Sequence, residues 1–259
     1  MAMALNKPVR DWNGRCVWII GASSGIGAAT AQLLLERGAS VAVSARRAPL
    51  LEALCHGQPR ALAAPLDITD ATSVHAAREQ IERHGWRIDM VLVVAGGYHA
   101  MRADGFKLEH ANLLLDLNLR GVYNCLDAVL PTLLEQGGGG IGIVASVAGY
   151  GGLPKALVYG PTKAALINLT ETLYLDLAPR GVSVYQINPG FVATDLTAGN
   201  DFAMPALMTP EAAAQALVRG LEQGQFHIHF PRRFSNSLRL LRLLPYSAYF
   251  WMVRKVTGL

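Results

Sequence analysis

Short apolar runs alternate with helical patterns along most of the chain. Seven runs rich in Val, Ile and other apolar residues predict strands at 17–20, 41–44, 62–66, 90–94, 141–145, 182–187 and 226–230. Apolar positions at helical spacing predict helices between them at 26–37, 71–84, 107–134, 158–177 and 210–223. This alternation predicts an α/β fold: a three-layer, doubly wound parallel sheet of seven strands with helices on both faces.

Length and composition narrow the class of protein. The 259 residues are 51% hydrophobic, enough for one sizeable core, which excludes a disordered or collagen-like chain. We find no linker or solenoid repeat, so a single domain over residues 1–259 is predicted. Three cysteines without paired spacing favour a reducing, cytoplasmic compartment, and neither a signal peptide nor a membrane span is expected.

The positive charge is concentrated near the C-terminus. Residues 226–259 contain six basic residues and no acidic one, and subtracting these six from 23 leaves 17 basic against 19 acidic residues elsewhere. Nucleic acid is therefore not an expected partner. The basic, apolar extension 232–259 mixes its cations with leucines and aromatics, which suits a helix in peripheral contact with an anionic membrane. A lid over the substrate mouth and a subunit contact remain alternatives.

A glycine-rich turn joins the first strand to the first helix. Its residues are Gly21, Ala22, Ser23, Ser24, Gly25, Ile26 and Gly27. Glycines let the backbone approach a pyrophosphate, which then sits at the positive end of the helix. The position in the first βα unit favours a Rossmann-type dinucleotide site over a mere tight turn.

The end of the second strand bears on the choice of dinucleotide. An acidic residue there would accept from a ribose 2′-hydroxyl and repel a 2′-phosphate, but the sequence has Ala45, Arg46 and Arg47. Because Arg46 can pair bidentately with phosphate, NADP(H) is preferred and NAD(H) stays possible; two solvated arginines are the alternative. Asp67, after the third strand, could accept from the adenine amino group or serve only to end the strand.

Candidate chemistry lies after the fifth strand. Tyr159 and Lys163 are four residues apart and hence on one helix face, where the cation would favour the phenolate. Ser146 follows the fifth strand at the edge where open α/β sheets bind ligands, and its hydroxyl can hydrogen-bond a substrate carbonyl.

In this order and spacing, the motifs resemble the short-chain dehydrogenase/reductase family over residues 15–231, with Asn118 and Asn188-Pro189-Gly190 as further matches. The resemblance implies that Tyr159 exchanges a proton with the substrate oxygen and Ser146 polarises that oxygen. It also implies that Lys163 holds the nicotinamide ribose and lowers the tyrosine pKa, and that Asn118 supports a proton-relay water.

The resemblance also implies a cofactor site and an assembly. The cofactor residues would be Gly21, Ser23, Ser24, Gly25, Ile26, Gly27, Arg46, Arg47, Asp67, Ile68, Ala95, Gly96, Tyr159, Lys163, Pro189, Gly190, Val192 and Thr194. The long helices resemble those through which family members pair into homodimers and homotetramers. Three positions depart from the family pattern: Ile20, Val93-Val94, and Pro161 inside the Tyr–Lys segment.

The substrate is expected to be a small apolar or lipid-like carbonyl or alcohol. The loop 191–209 carries Phe191, Phe202, Met204, Leu207 and Met208. In the family the corresponding loop closes over the substrate; packing on the core is the alternative. His227 and His229 share a strand face and are expected to be a structural pair, with no metal site.

The sequence thus predicts an NADPH-preferring oxidoreductase of this family. The alternatives are an NAD-dependent alcohol dehydrogenase and a non-catalytic protein that senses NADP(H).

Overall fold

In the computed structural model, which describes residues 4–199 and 203–258, seven strands form a parallel sheet. The strands are β1 (Cys16–Ile20), β2 (Ser40–Ser44), β3 (Ala61–Ala63), β4 (Ile88–Val93), β5 (Gly140–Val144), β6 (Ser183–Pro189) and β7 (His227–Phe230). Their order is β3-β2-β1-β4-β5-β6-β7. All seven predicted strands are therefore present, although β3 ends at Ala63 rather than at residue 66.

Nine α-helices lie in the described part of the chain. They are α1 (Gly25–Glu36), α2 (Ala48–Cys55), α3 (Ala71–Arg83), α4 (Leu108–Leu115), α5 (Gly121–Gln136), α6 (Tyr159–Leu177), α7 (Pro210–Glu222), α8 (Arg232–Leu241) and α9 (Tyr246–Thr257). None of them is long and apolar enough to cross a membrane.

The helix predicted over 107–134 is interrupted. Between α4 and α5 the backbone forms a π-helical turn, Asp116–Arg120. Such a turn inserts one extra residue into the helical ladder and locally changes the direction of the side chains. The apolar periodicity on either side continues across it, which is why the pattern alone predicted one unbroken helix.

Alternate residues of β1 pack against different helices. Trp18 and Ile20 belong to an apolar cluster with residues of α3, α5 and α6, whereas Val17 and Ile19 belong to a cluster with residues of α1 and α7. Because successive side chains of a strand point to opposite faces, helices cover both faces of the sheet. This arrangement confirms the three-layer, Rossmann-type fold.

The strand order places a crevice at the carboxyl ends of the central strands. β1 pairs with both β2 and β4, so the chain crosses over at this point. In open α/β sheets ligands bind at such a switch point, beside the carboxyl ends of the strands. Because the strands are parallel, the segments that follow β1, β2, β4, β5 and β6 all begin at this end of the sheet.

Candidate active site

The turn after β1 has no room for side chains at two of its glycines. Gly21 has a φ of +100°, and a Cβ there would lie 2.4 Å from the Ala95 nitrogen. A Cβ on Gly27 would lie 2.1 Å from the Gly21 carbonyl oxygen. The turn is therefore held against the segment after β4, with its backbone exposed to the crevice.

The N-terminus of α1 opens into the crevice. The side chain of its cap residue, Ser24, makes no capping hydrogen bond, and the first turn contains no acidic residue. Arg47 Nη2 donates to the hydroxyls of Ser23 and Ser24, each at 2.9 Å, and Arg47 Nη1 lies 3.8 Å from Asp195 Oδ2. Backbone amides at a helix start beside an arginine make a cradle that fits a phosphate group.

The other predicted adenosine-side residues divide into two groups. Arg46 and Ile68 line the cleft, whereas Asp67 is not among the lining residues. Asp67 Oδ1 instead accepts hydrogen bonds from the backbone nitrogen and hydroxyl of Thr69, at 2.9 and 2.8 Å. These bonds lower the pKa of Asp67, with a smaller contribution from the charge of Arg46.

Ser146, Tyr159 and Lys163 meet at the carboxyl end of β5. Ser146 Oγ accepts from the Ala148 nitrogen at 3.1 Å and also hydrogen-bonds the side chain of Tyr159. Tyr159 begins α6, and Lys163 follows one turn later. Lys163 Nζ donates to the Val144 carbonyl at 2.9 Å and lies 5.7 Å from the centre of the Tyr159 ring. The helical spacing predicted from the sequence thus places both side chains beside the serine.

Burial dominates the electrostatics of this triad. Burial raises the pKa of Tyr159, a change that the hydrogen bond from Ser146 opposes. Burial also lowers the pKa of Lys163 to about 8. The direction at Tyr159 is opposite to the one expected beside an ammonium, because the loss of solvation outweighs the neighbouring groups and Lys163 is hydrogen-bonded to Val144.

Asn118 lies in the π-helical turn and is buried. Asn118 Oδ1 accepts from the Gly97 nitrogen at 2.7 Å, and its Nδ2 donates to the Gly97 carbonyl at 2.9 Å. A Cβ on Gly96 would lie 3.2 Å from Asn118 Oδ1 and 3.3 Å from Lys163 Nζ. The amide therefore ties the segment after β4 to the helix layer beside the lysine.

A buried chain of polar side chains supports Ser146 from behind. Thr170 Oγ1 donates to Gln186 Oε1 at 3.1 Å, and Gln186 Nε2 donates to Asn188 Oδ1 at 2.9 Å. Asn188 Nδ2 then donates to the Ser146 carbonyl at 2.9 Å. Sequence reasoning gave Thr170 and Gln186 no role, although two amides spaced by two residues in an otherwise apolar strand are a signal for such a network.

One large cleft joins these parts. Its volume is about 1680 Å³, and it is lined by every predicted site residue except Asp67 and Asn118. Beyond Ser146 and Tyr159 its walls become apolar. Phe191, Leu196 and Pro205 of the predicted substrate loop contribute there, whereas Phe202 lies outside the described residues.

The C-terminal extension forms part of the wall of this cleft. α8, α9 and the turn between them contribute apolar side chains, among them Leu238, Leu241, Leu244, Met252 and Val253. Tyr249 anchors α9 through a 2.8 Å hydrogen bond from its hydroxyl to the Gly152 carbonyl. One side of the extension therefore lines the apolar end of the cleft.

The two histidines of β7 are held in hydrogen bonds beneath α8. His227 Nε2 lies 2.8 Å from the Tyr150 hydroxyl, and His229 Nδ1 lies 2.6 Å from Ser235 Oγ. Burial lowers the pKa of His227 to about 4, so this ring is neutral at ordinary pH. Within residues 4–199 and 203–258 no three or more His, Cys, Asp or Glu residues are grouped so as to hold a metal ion.

Comparison with known proteins agrees with this arrangement. A family model described as short chain dehydrogenase matches residues 15–203. The chain belongs to the short-chain dehydrogenase family. An uncharacterized oxidoreductase of Myxococcus xanthus (strain DK1622) is 34% identical to it over 238 residues, which are 89% of this chain and 93% of that protein.

Solved structures of short-chain dehydrogenases share the fold. A short-chain dehydrogenase from Burkholderia cenocepacia J2315 in complex with NADP has a TM-score of 0.78 and 25% identity, covering 91% of this chain and all of that one. A 3-ketoacyl-(acyl-carrier-protein) reductase from Brucella melitensis complexed with NADH has a TM-score of 0.77 and 26% identity, covering 86% and 99%. The chain is thus a short-chain dehydrogenase-type oxidoreductase.

Proposed function

We propose that this short-chain dehydrogenase is an NADPH-preferring enzyme that reduces an apolar or lipid-like carbonyl compound to its alcohol. The observation that carries the proposal is the position of Ser146 and Tyr159, at the junction between the glycine-turn end of the cleft and its apolar end. A carbonyl group at this junction would meet both side chains while the rest of its substrate lay among apolar residues.

The residues around the turn fit a dinucleotide. The open N-terminus of α1 and the glycine turn would hold its pyrophosphate, and Arg46 and Arg47 would face the ribose end. When bound, the dinucleotide supplies or accepts a hydride at nicotinamide C4. Similar proteins have been seen with NADP and with NADH. Two arginines and no acid after β2 favour NADP(H) for this chain.

Tyr159 would transfer the proton. Its raised pKa keeps the phenol protonated near neutrality, which is the form needed for reduction. In that direction Tyr159 Oη would give its proton to the carbonyl oxygen as the carbonyl carbon receives the hydride. Ser146 would hydrogen-bond the same oxygen. Lys163, whose pKa of about 8 lies above neutrality, would carry a positive charge close to the phenol in most of the molecules.

The apolar end of the cleft supports the choice of substrate. The whole cleft, at about 1680 Å³, exceeds the roughly 300–1,000 Å³ of clefts that hold one small ligand. It therefore has room for a dinucleotide and an apolar chain together. The likeness to a reductase that acts on 3-ketoacyl groups agrees with a chain-bearing carbonyl substrate.

A homo-oligomer is part of this proposal. Leu113 on α4, Tyr123 on α5 and Leu175 on α6 are 66%, 51% and 72% exposed. Large apolar side chains on neighbouring helices favour a subunit contact on that side of the protein.

We place the enzyme in a compartment that keeps NADPH reduced, which favours reduction of the substrate over oxidation.

The decisive test is NADPH consumption with purified protein and a short and a long methyl ketone. We expect NADPH to be preferred over NADH, the long ketone over the short one, and Tyr159→Phe to lower kcat roughly 10²- to 10⁴-fold while still binding NADPH. Tight NADPH binding without turnover of either ketone would contradict the proposal. Faster turnover with NADH would support an NAD-dependent enzyme, which the NADH complex of the Brucella reductase favours as the second candidate.

A further inference from the structure

The outward sides of α8, of the turn that follows it and of α9 form an apolar–basic surface. We define this surface by Leu240, Leu243, Tyr246, Phe250, Trp251, Arg254 and Lys255. Leu240 and Leu243 are 66% and 80% exposed, and Phe250 and Trp251 are 52% and 58% exposed. Adjacent large apolar side chains on a folded protein mark a surface that contacts something other than water.

The two sides of α9 have different chemistry. Tyr249 and Val253, one turn apart, are buried against the rest of the protein. Trp251 and Arg254 lie on the opposite side, since each residue of a helix turns by about 100°. Lys255 Nζ lies 5.0 Å from the centre of the Trp251 ring. Aromatic rings with cations around them are typical of helices that lie in the plane of a membrane interface.

The cleft opens on this same surface. Leu240 and Val256 line the cleft and are nevertheless 66% and 76% exposed, so they mark its rim. Leu244, also a lining residue, is 39% exposed. A molecule that entered here would pass from the apolar–basic surface directly to the apolar part of the cleft.

Charge decides between a second copy of this chain and an anionic surface. Residues 226–259 carry six cations and no acidic residue. A two-fold contact between copies of this segment would bring its cations together with no acidic residue of the segment to pair with them. Anionic phospholipids offer the complementary charge next to an apolar layer, and each Lys or Arg near such a surface strengthens binding.

We propose that the apolar–basic surface docks on an anionic phospholipid membrane, with Phe250 and Trp251 in the interfacial layer and Arg254 and Lys255 among the headgroups. Docking in this orientation turns the rim of the cleft towards the acyl chains. A lipid-like carbonyl compound then enters the cleft without crossing water, a consequence that rests on the proposed function.

Vesicle binding tests the docking without relying on activity. The 259-residue chain is sedimented with vesicles of phosphatidylcholine alone and of an equal mixture with phosphatidylglycerol. We expect binding to the mixed vesicles that weakens with salt. Arg254→Gln with Lys255→Gln should weaken it about thirtyfold, and Phe250→Ser with Trp251→Ser more than about tenfold. None of these four side chains lines the cleft, so turnover of a water-soluble ketone should stay at the parent value.

Matched changes elsewhere control for charge and apolarity. Arg83→Gln with Arg87→Gln removes two exposed cations, and Leu50→Ser removes an exposed leucine, and neither should alter vesicle binding. Equal recovery of the parent in the soluble fraction with both vesicle types would overturn the proposal. It would also be overturned if the α9 variants bound like the parent, or if Phe250→Ser with Trp251→Ser abolished a dimer in sedimentation velocity. A protein that docks but turns over no ketone would refute the proposed function alone.

Discussion

Asn188 Nδ2 donates a hydrogen bond of 2.9 Å to the carbonyl oxygen of Ser146. The bond joins the carboxyl ends of β6 and β5, 42 residues apart in the chain, and both residues are buried. Because Gln186 donates in turn to Asn188, the backbone of Ser146 is held by side chains that never reach the cleft. Ser146 thus depends on the interior of the protein for its position.

Asn188→Ala should uncouple Ser146 from this support. The change removes one of two donors to the Ser146 carbonyl, since the Gly149 nitrogen still donates to it at 3.0 Å. It leaves the buried amide of Gln186 without its acceptor, so the free energy of unfolding should fall by roughly 1–3 kcal/mol. Turnover should fall while the KM for the cofactor changes little. Urea unfolding and separate kcat and KM values measure the two effects.

A double change separates positioning from stability. Gln186→Met combined with Asn188→Ala also removes the Gln186 amide that the single change leaves unpaired, so part of the stability should return while kcat stays low. An unchanged kcat in Asn188→Ala would show that Ser146 does not need this bond.

Arg46 and Arg47 should set the preference for NADPH. Losing a hydrogen-bonded charge on phosphate costs roughly 1.5–3 kcal/mol, so Arg46→Asp should raise the KM for NADPH about 10- to 150-fold and leave that for NADH within about threefold. Arg47→Ala should also weaken binding of both nucleotides, because Arg47 bonds the two serines of the glycine turn. Steady-state kinetics with both nucleotides measures this, and unchanged NADPH affinity in Arg46→Asp would refute the assignment.

Lys163 should make the stability of the cofactor-free protein depend on pH. Burial lowers its pKa from 10.5 to about 8 in the folded protein. Between these two values the unfolded chain binds more protons than the folded one, so this residue adds stability as pH rises from about 8 to about 10.5. The contribution is absent in Lys163→Met.

The measurement compares urea unfolding of the parent and Lys163→Met at about pH 7 and about pH 10. Between these two pH values the free energy of unfolding of the parent should rise by ~1–3 kcal/mol relative to that of Lys163→Met. Lys107→Met, at an exposed lysine, should show no such change relative to the parent. If the free energies of unfolding of the parent and Lys163→Met differed by the same amount at both pH values, the pKa of Lys163 would be the same in the folded and unfolded chains.

Met252 should limit the length of the substrate. It lines the apolar end of the cleft, so Met252→Trp fills space that only a long chain would occupy. Overpacking of this kind costs roughly 1–3 kcal/mol, and kcat/KM for a long ketone should fall about tenfold or more while that for a short ketone changes less than about twofold. Trp251→Phe, at the neighbouring outward position, serves as the control and should leave both values unchanged. Equal losses of kcat/KM for both ketones would show that the alkyl chain of the substrate does not lie beside Met252.

The sequence determined those features whose partners are close along the chain. Apolar periodicity set the seven strands and the main helices, the glycine pattern set the turn, and the spacing of Tyr159 and Lys163 set their common helix face. α2 was missed because it is only eight residues long, at the short end of the range in which a helical pattern can be recognised. That residues 1–259 form a single domain stays a prediction.

Tertiary structure decided the features that join distant segments. Asn118, in the π-helical turn, bonds Gly97 across 21 positions of the chain, and Gln186 supports Ser146 through Asn188, which reaches from β6 to the end of β5. The same holds for the C-terminal extension. Its composition suited contact with an anionic membrane, with a lid and a subunit contact as alternatives, but only packing placed one side of it along the cleft and left the other side exposed. Periodicity records which side of an element is apolar, whereas what lies against that side depends on how the whole chain packs.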